Sequence, residues 1–193
     1  MGSAKPYFIY PGYAFVAYPN RDSTPYKERY GIPEAQTIIR GTLRYQGFPE
    51  FVRTLVDAGF LSEEPLNFLQ PSAPPLSWKS ALAKVLGSSS ETEEDLIWAI
   101  SSKTRFGDTA EKERIINGMR WLGLFGDGKI TPRGNPLDTL CATLEEKMQY
   151  EPGERDMVML QHRFDIELAD GTKVTPSSEP FPTICISILG RGC

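Results

Sequence analysis

Between Pro49 and Met148 the sequence carries five apolar stripes at helical spacing, each with its own start or stop signal. A stretch so punctuated packs as a cluster of helices, because residues three and four apart share one helix face. Pro49 to Ala58 places Phe51, Val52, Leu55 and Val56 on one stripe and stops at Gly59. Trp78 to Leu86 keeps Trp78, Leu82, Val85 and Leu86 in phase and stops at Gly87. Thr92 can cap a helix running to about Ser102 through Leu96, Ile97 and Ile100. Asp108 with Glu111 resembles a capping pair ahead of Ile115, Ile116, Met119 and Leu122. Asn135-Pro136 supplies an N-cap and a first-turn proline for Leu137, Leu140, Cys141, Leu144 and Met148.

Strand patterns flank this cluster. Tyr13 to Tyr18 is rich in strand formers between prolines, and Asn20-Arg21-Asp22-Ser23-Thr24-Pro25 follows as turn chemistry, where Asx and Ser/Thr side chains bond their own backbone. Gln36 to Gln46 reads as a second strand. By period 2, Ile38, Arg40, Thr42, Arg44 and Gln46 share one face, and Thr37, Ile39, Gly41, Leu43 and Tyr45 the other. Arg155 to Ala169 has the clearest alternation, with Val158, Leu160, His162, Phe164, Ile166 and Leu168 on one side. Asp170-Gly171 then predicts a hairpin turn into Thr172-Lys173-Val174, and Ile184 to Leu189 suits one further strand. The order predicts an α+β fold, a mixed β-sheet flanked by about five helices.

Composition narrows the function classes. The chain of 193 residues carries 21 basic and 25 acidic side chains, a balance that disfavours a large nucleic-acid surface. No run approaches the roughly 18–20 apolar residues needed to span a bilayer, and Met1-Gly-Ser-Ala-Lys5 has no apolar core with a cleavage site, so no signal peptide is expected. Three scattered cysteines, Cys141, Cys185 and Cys193, do not form a disulfide framework, and a single histidine leaves no zinc set. A cytoplasmic location is expected, with no membrane and no nucleic-acid partner.

Few residues stand out as chemistry. Gly123-Leu-Phe-Gly126-Asp-Gly128 has the wrong spacing for a phosphate loop and reads as a helix C-cap followed by a turn. Arg21 lies in a turn after one strand and Arg44 on the polar face of the next, so two guanidiniums can converge on a carboxylate ligand. The plainer reading is that Arg21 pairs with Asp22 or Glu28 while Arg40 and Arg44 form a solvated sheet face. His162 reads as a half-buried structural histidine rather than a base, and Cys141 as a small core residue. The Met157/Met159 pair and the aromatic segment 7–18 read as packing or partner surface.

Four segments are more specific: IYPGYAFVAYPNRDSTPYKERY (9–30), IIRGTLRYQGFPEFVRTLVDAGFL (38–61), ITPRGNPLDTLCATLEEKMQY (130–150) and ERDMVMLQHRFDIELADGT (154–172). Together they resemble the saccharopine dehydrogenase family of the glutamate-forming type, from about Lys5 to Thr175. That resemblance implies an enzyme with a Rossmann domain for NADP and an α+β insert carrying most substrate contacts and the dimer interface. It implies reductive condensation of glutamate with aminoadipate semialdehyde to saccharopine, in lysine biosynthesis. It also implies that Arg21 of the NRDS motif and Thr42, Leu43 and Arg44 of the RGTLRY segment bind substrate.

The nucleotide-binding half and its Gly-rich loop are not recognisable, and residues 176–193 do not look like the family. The expectation is therefore a partial substrate-binding domain over 5–175 with a divergent tail at 176–193. Such a chain holds no cofactor and is inactive as a dehydrogenase alone. A non-catalytic dimerisation or interaction module is the alternative, since an unpaired sheet edge invites self-association. The order of helices and hairpin over 137–174 also allows a winged-helix nucleic-acid binder, against which stand Asp165, Glu167 and the acidic balance.

Overall fold

The computed structural model describes residues 4–155, 158–175 and 184–187. The chain divides into two compact units, one of Met1–Tyr7 with Ala14–Met148, the other of Phe8–Tyr13 with Gln149–Cys193.

The first unit opens on a three-stranded antiparallel sheet. Its strands are β1 (Lys5–Tyr7), β2 (Phe15–Pro19) and β3 (Gly41–Tyr45), in that spatial order. β2 and β3 pair Phe15 with Tyr45, Val16 with Arg44 and Tyr18 with Thr42. The predicted strand over 36–46 is thus shortened to its second half. Pairing further back would need backbone from Arg21 to Thr24, and that segment is committed to a turn. The Thr24 amide donates to Asp22 Oδ1 at 3.0 Å and the Tyr26 amide to the Ser23 carbonyl at 3.0 Å. That second bond starts α1 (Tyr26–Arg29), a single turn absent from the sequence reading.

Five longer helices follow where the apolar stripes lie: α2 (Phe48–Asp57), α3 (Trp78–Leu86), α4 (Glu93–Lys103), α5 (Thr109–Leu122) and α6 (Pro136–Met148). The start signals work as side-chain caps. Thr92 accepts from the Asp95 amide, Asp108 from the Glu111 amide at 2.7 Å, and Asn135 from the Asp138 amide at 2.7 Å. The core sits between the helices, where Leu82, Leu96, Ile100, Ile115 and Met119 are fully buried. Gly118 permits the close approach of α5 to α2, since a Cβ there would lie 2.7 Å from Phe51 Cε2. Cys141 is half-buried on α6.

In the second unit β4 (Val158–Gln161) pairs antiparallel with β7 (Ile184–Ser187), and β5 (Ile166–Glu167) with β6 (Lys173–Val174). The hairpin turns at Asp170-Gly171, with φ 81° at Gly171 and the Thr172 amide on Asp170 Oδ1 at 2.9 Å. The long strand expected over 155–169 is corrected to two short ones with different partners. Residues 162–165 between them pair with neither, and Asp165 accepts from the Thr175 hydroxyl at 2.7 Å. His162 is exposed rather than half-buried, and so are Leu160, Phe164, Ile166 and Leu168. Met157 and most of 176–193 lie outside the described residues. The α+β class stands. Among the described residues, however, the strands form three small antiparallel sheets, not one mixed sheet.

Candidate functional site

The β2–β3 pair places the predicted ligand-binding residues. Thr42 and Arg44 project from one face of β3, two residues apart, with Arg40 two residues before. Leu43 points to the other face, opposite Ala17, and is half-buried. Arg21 sits in the exposed turn that leaves β2.

The turn keeps Arg21 free of the partner expected for it. The Asp22 carboxylate is occupied by Thr24, which gives it the backbone N–H at 3.0 Å and the hydroxyl at 2.9 Å. Those bonds, the backbone one first, hold its carboxyl below the usual carboxylate range. Among the described residues the Arg21 guanidinium makes neither an ion pair nor a hydrogen bond. Its pairing with Asp22 or Glu28 is therefore not found.

Two further guanidiniums nearby are held by aromatic rings rather than by acids. Arg40 lies 4.2 Å over the Tyr26 ring, which Arg29 also approaches at 5.6 Å. Arg44 lies 5.5 Å from the Phe48 ring centre and donates from Nη1 to the Leu43 carbonyl at 2.8 Å. Elsewhere Arg53, Arg120, Arg133 and Arg163 each pair with a carboxylate. Arg21, Arg40 and Arg44 have no such counter-ion among the described residues. A guanidinium stacked on a ring keeps its N–H fork available, which suits a ligand bearing several carboxylates.

Ser23, the last residue of the NRDS segment, and Tyr26 complete the constellation, although neither stood out in the sequence as a ligand contact. The Ser23 hydroxyl donates to the Arg21 carbonyl at 3.1 Å and accepts from the Arg40 amide at 3.2 Å. It joins the turn that carries Arg21 to the chain entering β3. The period-2 alignment of Arg40 with Thr42 and Arg44 was visible in the sequence; a bridge spanning 17 residues was not.

The other candidates fall away. Gly123 closes α5 in a left-handed conformation, and the segment after it presents carbonyls to the start of α3. Gly126 and Gly128 accept from the Lys79 and Trp78 amides at 3.0 and 2.8 Å, so the segment caps α3. A phosphate loop presents N–H groups instead, and these residues do not fit a nucleotide. A groove of about 410 Å³ beside α4, lined by Ser88, Ser90, Trp98 and Lys103 among others, contains none of the predicted site residues. Three of its hydroxyls are already engaged, Ser88 on the Ser90 carbonyl, Ser90 on Thr92 and Ser102 on the Ala99 carbonyl. Among the described residues no group of His, Cys, Asp or Glu could hold a metal ion, and no helix is long and apolar enough to cross a membrane.

Comparison with known proteins bears on this geometry. A family model described as the saccharopine dehydrogenase C-terminal domain matches residues 1–188. The chain is 63% identical over 178 residues to saccharopine dehydrogenase (NADP(+), L-glutamate-forming) of Pyricularia oryzae, covering 92% of this chain and 39% of that protein. It is 61% identical over 178 residues to the enzyme of the same name from Saccharomyces cerevisiae, with the same coverages. Mitochondrial alpha-aminoadipic semialdehyde synthase of Bos taurus is 38% identical over 171 residues, covering 89% of this chain and 18% of that one. The solved apo structure of the Saccharomyces cerevisiae saccharopine dehydrogenase (L-Glu forming) superposes with a TM-score of 0.84, over 90% of this chain and 38% of its own. The chain thus spans about two fifths of the length of the fungal relatives it matches, at 39%.

Proposed function

Because this chain belongs to the saccharopine dehydrogenase C-terminal domain family, we propose that it serves as a substrate-binding part of a glutamate-forming saccharopine dehydrogenase of lysine biosynthesis. Its ligand is saccharopine, or the glutamate end of it. Arg21 and Arg44 receive carboxylates, Thr42 offers a hydroxyl on the same strand face as Arg44, and Leu43 contributes backbone and packing. The observation that carries the reading is that Arg21, Arg40 and Arg44, on and beside the β2–β3 pair, have no acid paired to them among the described residues, whereas Arg53, Arg120, Arg133 and Arg163 do. Saccharopine carries three carboxylates, and a guanidinium fork accepts a carboxylate bidentately.

NADP stands in the printed names of the fungal relatives. The carbonyl-lined Gly126–Gly128 turn offers it no phosphate site, so hydride transfer is proposed to lie outside this chain. The residues described here would bind and orient the amino-acid ligand only. A cytoplasmic location is proposed with this reading. Calorimetric titration of the chain with saccharopine and with glutamate tests it. Saccharopine is expected to bind more tightly, and equal or absent binding of both contradicts the assignment.

A dimerisation or interaction module is the second reading. It is favoured by Leu160, Phe164, Ile166 and Leu168, whose apolar side chains stay exposed in the second unit. Sedimentation as a monomer contradicts this second reading, since a dimerisation module must self-associate.

A further inference from the structure

We propose that Ser23 is the positioning residue of the ligand site, holding Arg21 in register with Arg40 through its buried hydroxyl. The inference rests on the reading of Arg21 as a ligand contact. Ser23 is 7% exposed, although Arg21, Asp22, Thr24 and Pro25 around it are all exposed. A hydroxyl in a solvent-facing turn ordinarily points to water, and this one points inward. It has one proton to give and two lone pairs, enough to serve both sides of the turn. The proton goes to the Arg21 carbonyl and a lone pair takes the Arg40 amide.

Arg40 is thereby held at both ends of its backbone. Its carbonyl accepts from the Asn20 amide at 2.8 Å while its amide donates to Ser23. Arg21 lies between those two anchors, so its Cα is fixed although, among the described residues, its guanidinium makes no ion pair or hydrogen bond. Through its own carbonyl Ser23 also takes the Tyr26 amide at 3.0 Å, starting the turn of helix that sets Tyr26 beneath Arg40. One residue thus fixes the origin of one guanidinium and both the origin and the platform of another. The neighbouring acid is kept out of the way, since Asp22 is bound to Thr24. Pre-set guanidiniums lose less freedom when a ligand arrives, which is how positioning becomes affinity.

A double-mutant cycle on the full 193-residue chain, read by calorimetric titration with saccharopine, tests the proposal. Ser23→Ala is expected to weaken binding about tenfold, the scale of one lost hydroxyl bridge. Ser23→Thr, which keeps the hydroxyl, is expected to restore it. In an Arg21→Ala background Ser23→Ala is expected to cost less, because one of the two guanidiniums it positions is gone. Melting temperatures taken alongside separate a general loss of stability, which would persist in both backgrounds. Should the alanine variant fail to melt cooperatively, Ser23→Cys carries the same expectation with side-chain volume kept. An equal loss in both backgrounds, or no loss at all, overturns the role given to Ser23. A wild-type chain that does not bind, or an Arg21→Ala variant that binds as well as wild type, overturns instead the site reading beneath it.

Discussion

The indole Nε1–H of Trp78 donates to Thr143 Oγ1 at 3.1 Å, in the interior, and joins α3 to α6. Trp78 is 4% and Thr143 7% exposed, so water cannot replace either partner. Thr143→Val keeps the shape and strands the indole N–H. The expected loss is about 1–3 kcal/mol, the cost of a buried donor left unpaired. Urea unfolding monitored by tryptophan fluorescence measures it, and a midpoint equal to wild type contradicts the role of this bond.

Gly118→Ala tests the close approach of α5 to α2. Alanine is the better helix former by about 1 kcal/mol, but its Cβ would meet Phe51 Cε2 at 2.7 Å. Overpacking of this kind costs roughly 1–3 kcal/mol, so net destabilisation is expected. A raised unfolding midpoint would show that Phe51 moves aside freely.

Acid should destabilise the first unit through carboxylates held by hydrogen bonds. Thr24 lowers Asp22, Ser90 and Thr92 lower Asp95, and the Arg133 fork lowers Glu145. Arg133 reaches the two Glu145 oxygens at 3.1 and 2.6 Å. A group whose folded pKa is depressed binds fewer protons folded than unfolded, so stability falls as pH falls. The contribution is fully present above about pH 5, where unfolded carboxylates are ionised, and is lost as pH drops through the depressed values. Melting temperatures across that range should fall in the wild type and fall less steeply in Glu145→Gln. Parallel curves for the two would remove Glu145 from the account.

Much of the helical layer was legible because its signals are local. Thr92, Asp108 and Asn135 each cap a helix within three residues of themselves, so neighbouring positions decide the outcome. The 155–169 segment was not, because alternation fixes the faces of a strand but not its partners. β4 found residues 184–187 and β5 found 173–174, leaving His162 exposed between them. The candidate site divides the same way. Asn20 to Pro25 reads as a self-bonded turn, and Asp22 does bond Thr24. That bond removes the acid expected to neutralise Arg21. The reach of Ser23 to Arg40 depends on the register of β2 with β3, which no local pattern encodes.

The β2–β3 pair and its turn are proposed to bind a polycarboxylate amino-acid ligand through Arg21. Thermal unfolding of the chain with and without millimolar saccharopine, beside Arg21→Ala, tests this proposal most directly. A ligand that binds only the folded state raises stability by about 2.7 kcal/mol at a hundredfold excess over Kd. An upward shift is expected in the wild type, and a much smaller one in Arg21→Ala. A cooperative melt that saccharopine leaves unmoved, or that moves equally in both proteins, would contradict the proposal.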